Sequence, residues 1–365
     1  MAEVKNQVGG GGKTTYSEGI NALRAFACMA IVAWHVLANG DFRIDGYFVT
    51  NVIPSWNDLV YLFMIISGFG MCNGYYKRLK DRKISIEDFY SRRYTKVLPF
   101  FALLILADMV LEHSLESVYE GFIELTLVFG FLPNNELSVI GVAWTLGVIF
   151  AFYIIFPFVM YLIWNKTRAW GTLLVSLAIH ALCKVYFMTD KFVVFGYSLK
   201  HNFLFCMPYF IVGCLIYLYK DTIINVIRKY EFLSLLVCSA TTIFYYFVSY
   251  RTNSFWIIDI VTMILHAVWV GYGVGTTNRL FCNQVTRYIG GISMEIYLAH
   301  MMVFRALEKM GVLSLLGNGA VAYLLVVAVI LAVLVISVPI LQSMLDVCLG
   351  RITAVVEWLK FRREK

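Results

Sequence analysis

Arg24 and His35 lie eleven residues apart inside one apolar stretch. Eleven residues is close to three full turns of an ideal helix, so the two side chains share a face about 16 Å apart along the axis. Imidazole titrates near neutral pH and suits the removal of a proton from an attacking hydroxyl. An anion held near Arg24 could then extend a reactive group up to His35. A second set, Arg92, Arg93 and Lys96, precedes Pro99. Arg93 and Lys96 are three apart on one helical face, a spacing suited to holding phosphate groups, with Arg92 the weaker candidate. Glu295, Tyr297 and His300 form a third set, in which Tyr297 and His300 share a face while Glu295 points elsewhere. Each set also has a structural reading: a packing histidine, a snorkelling arginine, or ordinary charge retained at a membrane surface. Asp259, His266 and His180 read as groups in the interior of a helix bundle.

The elements that must position these residues are membrane helices. Of 365 residues, 60% are apolar and only 15% are charged, and the mean hydropathy is +0.75. One aqueous core cannot hide that much apolar surface. Runs of roughly 20 apolar residues, each about long enough to cross the hydrocarbon layer, recur along the chain. The expectation is an all-α, polytopic transmembrane bundle of about ten helices. They run approximately over 20–38, 56–76, 94–111, 142–164, 170–188, 203–219, 232–250, 255–274, 288–307 and 320–348, the last with Pro339 as a place to bend. The stretch 118–132 is apolar but carries Glu120 and Glu124, which reads as an interfacial or re-entrant segment. Residues 1–19 read as a flexible cytoplasmic tail, 20–350 as one transmembrane domain and 351–365 as a basic cytoplasmic tail. Gly12-Lys13-Thr14 looks like the end of a phosphate loop, but Gln7 stands where that pattern needs its first glycine.

Orientation follows from the short loops. Lys77, Arg78, Lys80, Arg82, Lys83, Arg92 and Arg93 crowd one loop, whereas the next holds Glu112, Glu116, Glu120, Glu124 and Glu136. The rule that basic loops stay inside places both termini in the cytoplasm, against which Lys191, Lys200 and Arg251 stand as exceptions. The net charge of +7 is explained by these loops rather than by nucleic acid, because no polar face collects it. The eight cysteines lie mostly inside apolar runs and form no CxxC pair, so they read as packing residues with no metal site.

These features together resemble the acyltransferase 3 family of membrane O-acyltransferases, over nearly the whole chain. The most specific part is Asn21-Ala22-Leu23-Arg24 through Trp34-His35, an arginine, ten residues and a histidine in the first membrane helix. Ser67-Gly68-Phe69 matches the family's SGF motif, and Arg93-Tyr94-Thr95-Lys96-Val97-Leu98-Pro99 its paired-arginine segment. Trp144, Leu146, Tyr153 and Pro157 fit W-x-L followed by Y and P, and Tyr297-Leu298-Ala299-His300 fits a late YL-x-H ending. Two departures stand out. Lys96 replaces the second arginine, and Ile149 and Phe150 stand where many members carry paired glutamates.

The resemblance implies transfer of an acyl group, usually acetyl, from acetyl-CoA as co-substrate to a carbohydrate hydroxyl. It implies a multi-pass protein of a bacterial plasma membrane whose partners are acyl-CoA, a carbohydrate acceptor and the lipid bilayer, not nucleic acid. His35 is then general base or covalent acyl carrier, with Arg24 and Ser67 beside it, and Arg93, Lys96 and Arg92 hold the donor phosphates. A transporter or flippase, or an accessory subunit of a polysaccharide-export system, is the competing reading, because interior charges also suit a substrate pathway.

Overall fold

The computed structural model describes residues 15–112, 114–131, 140–193, 198–251 and 255–363. Gly12 and Lys13, Thr14 and Glu136 lie outside them. Among the described residues the secondary structure is helical, with no strand. The principal helices are α1 (Thr15–Asn39), α2 (Leu59–Met71), α3 (Ile86–Glu112), α4 (Leu115–Leu125), α5 (Trp144–Leu162), α6 (Lys166–Leu182), α7 (Phe203–Leu218), α8 (Lys220–Lys229), α9 (Glu231–Arg251), α10 (Phe255–Gly275), α11 (Gln284–Gly291), α12 (Ser293–Lys309) and α13 (Ala320–Arg363).

Eight helices of the described residues are long and apolar enough to cross a membrane, nine if the bent pair α7 and α8 counts as one span. Two of the ten expected spans therefore differ. The run expected over 203–219 ends at Leu218 and bends by 72° into α8, and its 16 residues reach only about 24 Å at 1.5 Å per residue. The run expected over 288–307 breaks at Ile292, between α11 and α12. Both helices have an internal reason. Most of α7 is buried, and α12 buries Glu295, Tyr297 and His300, so neither needs a continuous lipid-facing apolar surface. Other boundaries differ too. Helix α1 starts at Thr15, inside the segment read as tail. Helix α3 starts at Ile86, eight residues before the expected span, because Ser85 caps it by accepting the Asp88 N–H at 2.9 Å. Residues 118–131 fold as the end of α4, a turn and a short 3-10 helix, none of them long enough to span, in keeping with the expectation of an interfacial or re-entrant segment.

The chain forms two compact units, one of residues 1–26 and 219–291 and one of residues 27–218 and 292–365. In the smaller unit α10 packs against α8 and α9. Ala22, Cys238, Tyr272 and Phe281 form its core. The Glu231 carboxylate closes the turn after α10 by accepting from the Thr276 hydroxyl at 2.6 Å and the Thr277 and Asn278 N–H groups at 2.8 and 2.9 Å.

In the larger unit the closest helix pair is α2 with α7, and α6 also packs against α7. Glycines make the first crossing possible. A Cβ added at Gly68 would collide with the Phe210 carbonyl, and one at Gly213 with the Ile65 carbonyl. Small residues let membrane helices approach backbone to backbone and gain dispersion contacts. Helices α12 and α13 pack together, and α12 also meets α3.

Candidate active site

The acidic first turn and the capping Ser85 make α3 helical through Arg92, Arg93 and Lys96. Arg92 and Lys96 are exposed, whereas Arg93 is half-buried. The Arg93 guanidinium donates to the Tyr75 hydroxyl and lies over the rings of Tyr75 and Tyr153 at 4.5 and 5.7 Å. Two aromatic faces hold this cation in place without neutralising it. Its Nε is buried and has no hydrogen-bond partner, leaving a donor for an anion.

Elsewhere in the unit, α1 and α12 bring two histidines together across 265 residues of sequence. His300 Nε2 lies 3.1 Å from His35 Nδ1, with ring centroids 4.8 Å apart. The protons can be assigned because a carbonyl oxygen only accepts. His300 Nδ1 is 2.6 Å from the Tyr297 carbonyl, so it carries a hydrogen and Nε2 carries a lone pair. His35 Nδ1 is 3.1 Å from the Ile31 carbonyl, so it too carries a hydrogen, directed between that carbonyl and His300 Nε2. The proton-free nitrogen of His35 is therefore Nε2. His300 is fully buried and His35 half-buried, so the first ring is shielded and the second is reachable.

A hydroxyl pair anchors α12 beside this contact. The Tyr297 hydroxyl donates to the Val142 carbonyl at 3.1 Å and accepts from the Thr145 hydroxyl at 2.8 Å. Both partners sit at the start of α5, next to Trp144. That indole stacks on His201, with centroids 4.3 Å apart and planes 23° apart. His201 and Lys200 belong to the 3-10 turn Leu199–His201, which packs on α5 and α7. The Lys200 ammonium is close enough to His35, His201 and Asp58 to act on each electrostatically. Burial pushes Lys200 down from its ordinary range against the opposing pull of Asp58. Burial, aided by Lys200, holds His201 down at about 4, so His201 is neutral.

The remaining sequence candidates are placed elsewhere. Arg24 lies three turns before His35 on the unbroken α1, in the part belonging to the smaller unit. Ser67 is half-buried on α2, one turn beyond Phe63, whose ring meets Tyr297 at 6.2 Å, and no hydrogen bond joins it to His35 or His300. Glu295 faces away from both histidines and accepts from Gln342 Nε2 on α13 at 2.8 Å. His180 is tied to the Phe205 carbonyl at 2.7 Å and stacks on that ring, a packing role. His266 is buried in α10 of the smaller unit. Sequence reasoning missed Tyr75, Thr145, Lys200 and His201. Lys200 had left a trace as a cation on the side of the membrane that short loops keep free of Lys and Arg.

The carboxyl of Glu124 on α4 is also buried. Its Oε1 accepts the Ile140 N–H at 3.3 Å. Burial raises it to about 8, partly offset by that bond and reinforced by Glu120 and Asp108.

The profile of the acyltransferase 3 family, described as an acyltransferase domain, matches residues 17–341. An uncharacterized protein of Haemophilus influenzae is 23% identical over 241 residues, covering 60% of this chain and 98% of that protein. No solved structure matches.

Proposed function

Because this chain belongs to the acyltransferase 3 family, and is thus a multi-pass membrane acyltransferase, we propose that it moves an acetyl group from cytoplasmic acetyl-CoA to a hydroxyl of a cell-surface or lipid-linked carbohydrate. The observation that carries the mechanism is the His35–His300 contact, which leaves the His35 Nε2 lone pair available. In the reaction, His35 Nε2 takes the proton of the acceptor hydroxyl as its oxygen attacks the thioester carbonyl carbon. The new C–O bond forms, the C–S bond breaks, and the departing thiolate recovers the proton from the imidazolium. His300 holds the ring in one tautomer throughout, the part a carboxylate plays in a hydrolase triad. Tyr297, Thr145 and Val142 fix α12 so that this contact persists.

Arg93, with Lys96 and Arg92 around it, holds the donor's phosphates, and its unpartnered Nε supports that role. The bundle sits in a bacterial plasma membrane with α7 and α12 both crossing, giving ten spans and both termini in the cytoplasm. The basic loop before α3 then faces the acyl-CoA pool.

The test is transfer of radiolabel from acetyl-CoA to glycan by the purified protein, with His35→Ala as the control variant. Turnover retained in that variant would remove the catalytic assignment. Accumulation of carbohydrate in vesicles without acyl-CoA would favour the transporter reading instead.

A further inference from the structure

The arrangement around Lys200 does not belong to the donor end. Asp58, which immediately precedes α2, is near Lys200, while Tyr75, which holds Arg93, lies at the far end of the same helical run. Seventeen residues at 1.5 Å each separate the two ends by about 26 Å. A group at the Lys200 end that also acts on His35 meets what approaches the histidine from the side opposite the donor phosphates.

We propose that Lys200, Asp58 and the stacked Trp144–His201 pair form the acceptor subsite of the His35 centre, built for the ring of a neutral, polyhydroxylated sugar. This rests on the acyltransferase reading above and adds to it the place where the acceptor binds. The chemistry follows from the groups present. His201 covers one face of Trp144 and holds the indole fixed, and both rings are half-buried rather than sealed. A fixed aromatic pair offers an apolar surface of low conformational entropy for the C–H face of a sugar. Lys200 contributes donors and Asp58 acceptors, the combination that neighbouring hydroxyls need. Because the two charges oppose each other, the subsite has no net attraction for an anion.

The turn is tied to the reacting centre. Its Lys200 carbonyl accepts from Cys206 Sγ on α7 at 3.2 Å, and the residue after Trp144 is the Thr145 that anchors Tyr297. A sugar seated on Trp144 therefore sits against the same short segment that positions α12 and His300.

The experiment uses the full-length protein in lipid nanodiscs, labelled acetyl-CoA as donor, and as acceptor probe a total glycan extract, assayed by hexose content, from cells lacking the protein. Lys200→Met and His201→Ala should each raise the half-saturating acceptor concentration about tenfold or more, with the acetyl-CoA KM within about twofold of wild type. His201→Phe keeps the stack and Lys200→Arg the charge, so both should stay near wild type and show that folding is not the cause. An unchanged acceptor requirement in Lys200→Met and His201→Ala, or a donor KM that rises equally, would overturn the subsite while leaving the acyltransferase reading standing. A wild-type protein that transfers no label to the extract would overturn both.

Discussion

A base at His35 acts only if its proton-free nitrogen is the one presented to the acceptor, and two backbone carbonyls and one neighbouring ring decide that. Replacing His35 by Ala should lower kcat/KM by roughly 10²–10⁴-fold, the usual contribution of a positioned general base. His300→Ala should cost about a hundredfold through misplacement of the His35 ring. His300→Asn, whose amide oxygen can accept the same hydrogen bond, should retain more activity with KM values unchanged. Rapid quenching of the protein with labelled acetyl-CoA alone should leave the chain unlabelled, and a labelled histidine would instead identify an acyl carrier. At the basic end, Arg93→Ala with Lys96→Ala should raise the acetyl-CoA requirement well beyond that for the acceptor.

Among the elements, the α2–α7 crossing and the α4 helix carry separate expectations. Gly68→Ala places a methyl group against the Phe210 carbonyl, backbone that cannot rotate away. It should lower stability by about 1–3 kcal/mol, read as a lower thermal unfolding midpoint in detergent. Gly70→Ala is the matched control, since an added Cβ there meets open space. Glu124 couples stability to pH. Its folded value is raised from 4.5 to about 8, so between those limits the folded state holds more protons than the unfolded one. Its contribution is therefore fully present below about 4.5 and lost as pH rises through about 8. Glu124→Gln should flatten that dependence of the unfolding midpoint across the same window.

Across the whole molecule the consequence to check is topology. Helices α7 and α12, with 16 and 17 residues, fall short of the length of lipid-facing spans, and their surroundings are largely protein. If α7 crosses, a cysteine introduced at Arg228 will be labelled from the same side of the membrane as one at Lys77, and if α12 crosses, cysteines at Arg279 and Lys309 will be labelled from opposite sides. A cysteine introduced at Lys200 should be labelled from the side opposite Lys77.

Hydrophobic run length and the contrast between basic and acidic loops were sufficient in the sequence for a polytopic helical bundle, since lipid imposes both. Helical period alone put Arg24 with His35, and Tyr297 with His300, on common faces, and the separate motifs along the chain together resembled one family. The pairing of His35 with His300 was not legible, because it joins helices 265 residues apart and period fixes only contacts within one helix. The break at Ile292 was hidden for a similar reason, in that burial inside the protein removes the need for a lipid-length apolar run. Which nitrogen of His35 is free, and that Lys200 acts on its ring, depend on packing among α1, α5, α7 and α12. Tertiary structure decided those points because a proton's place is set by the partner across the gap.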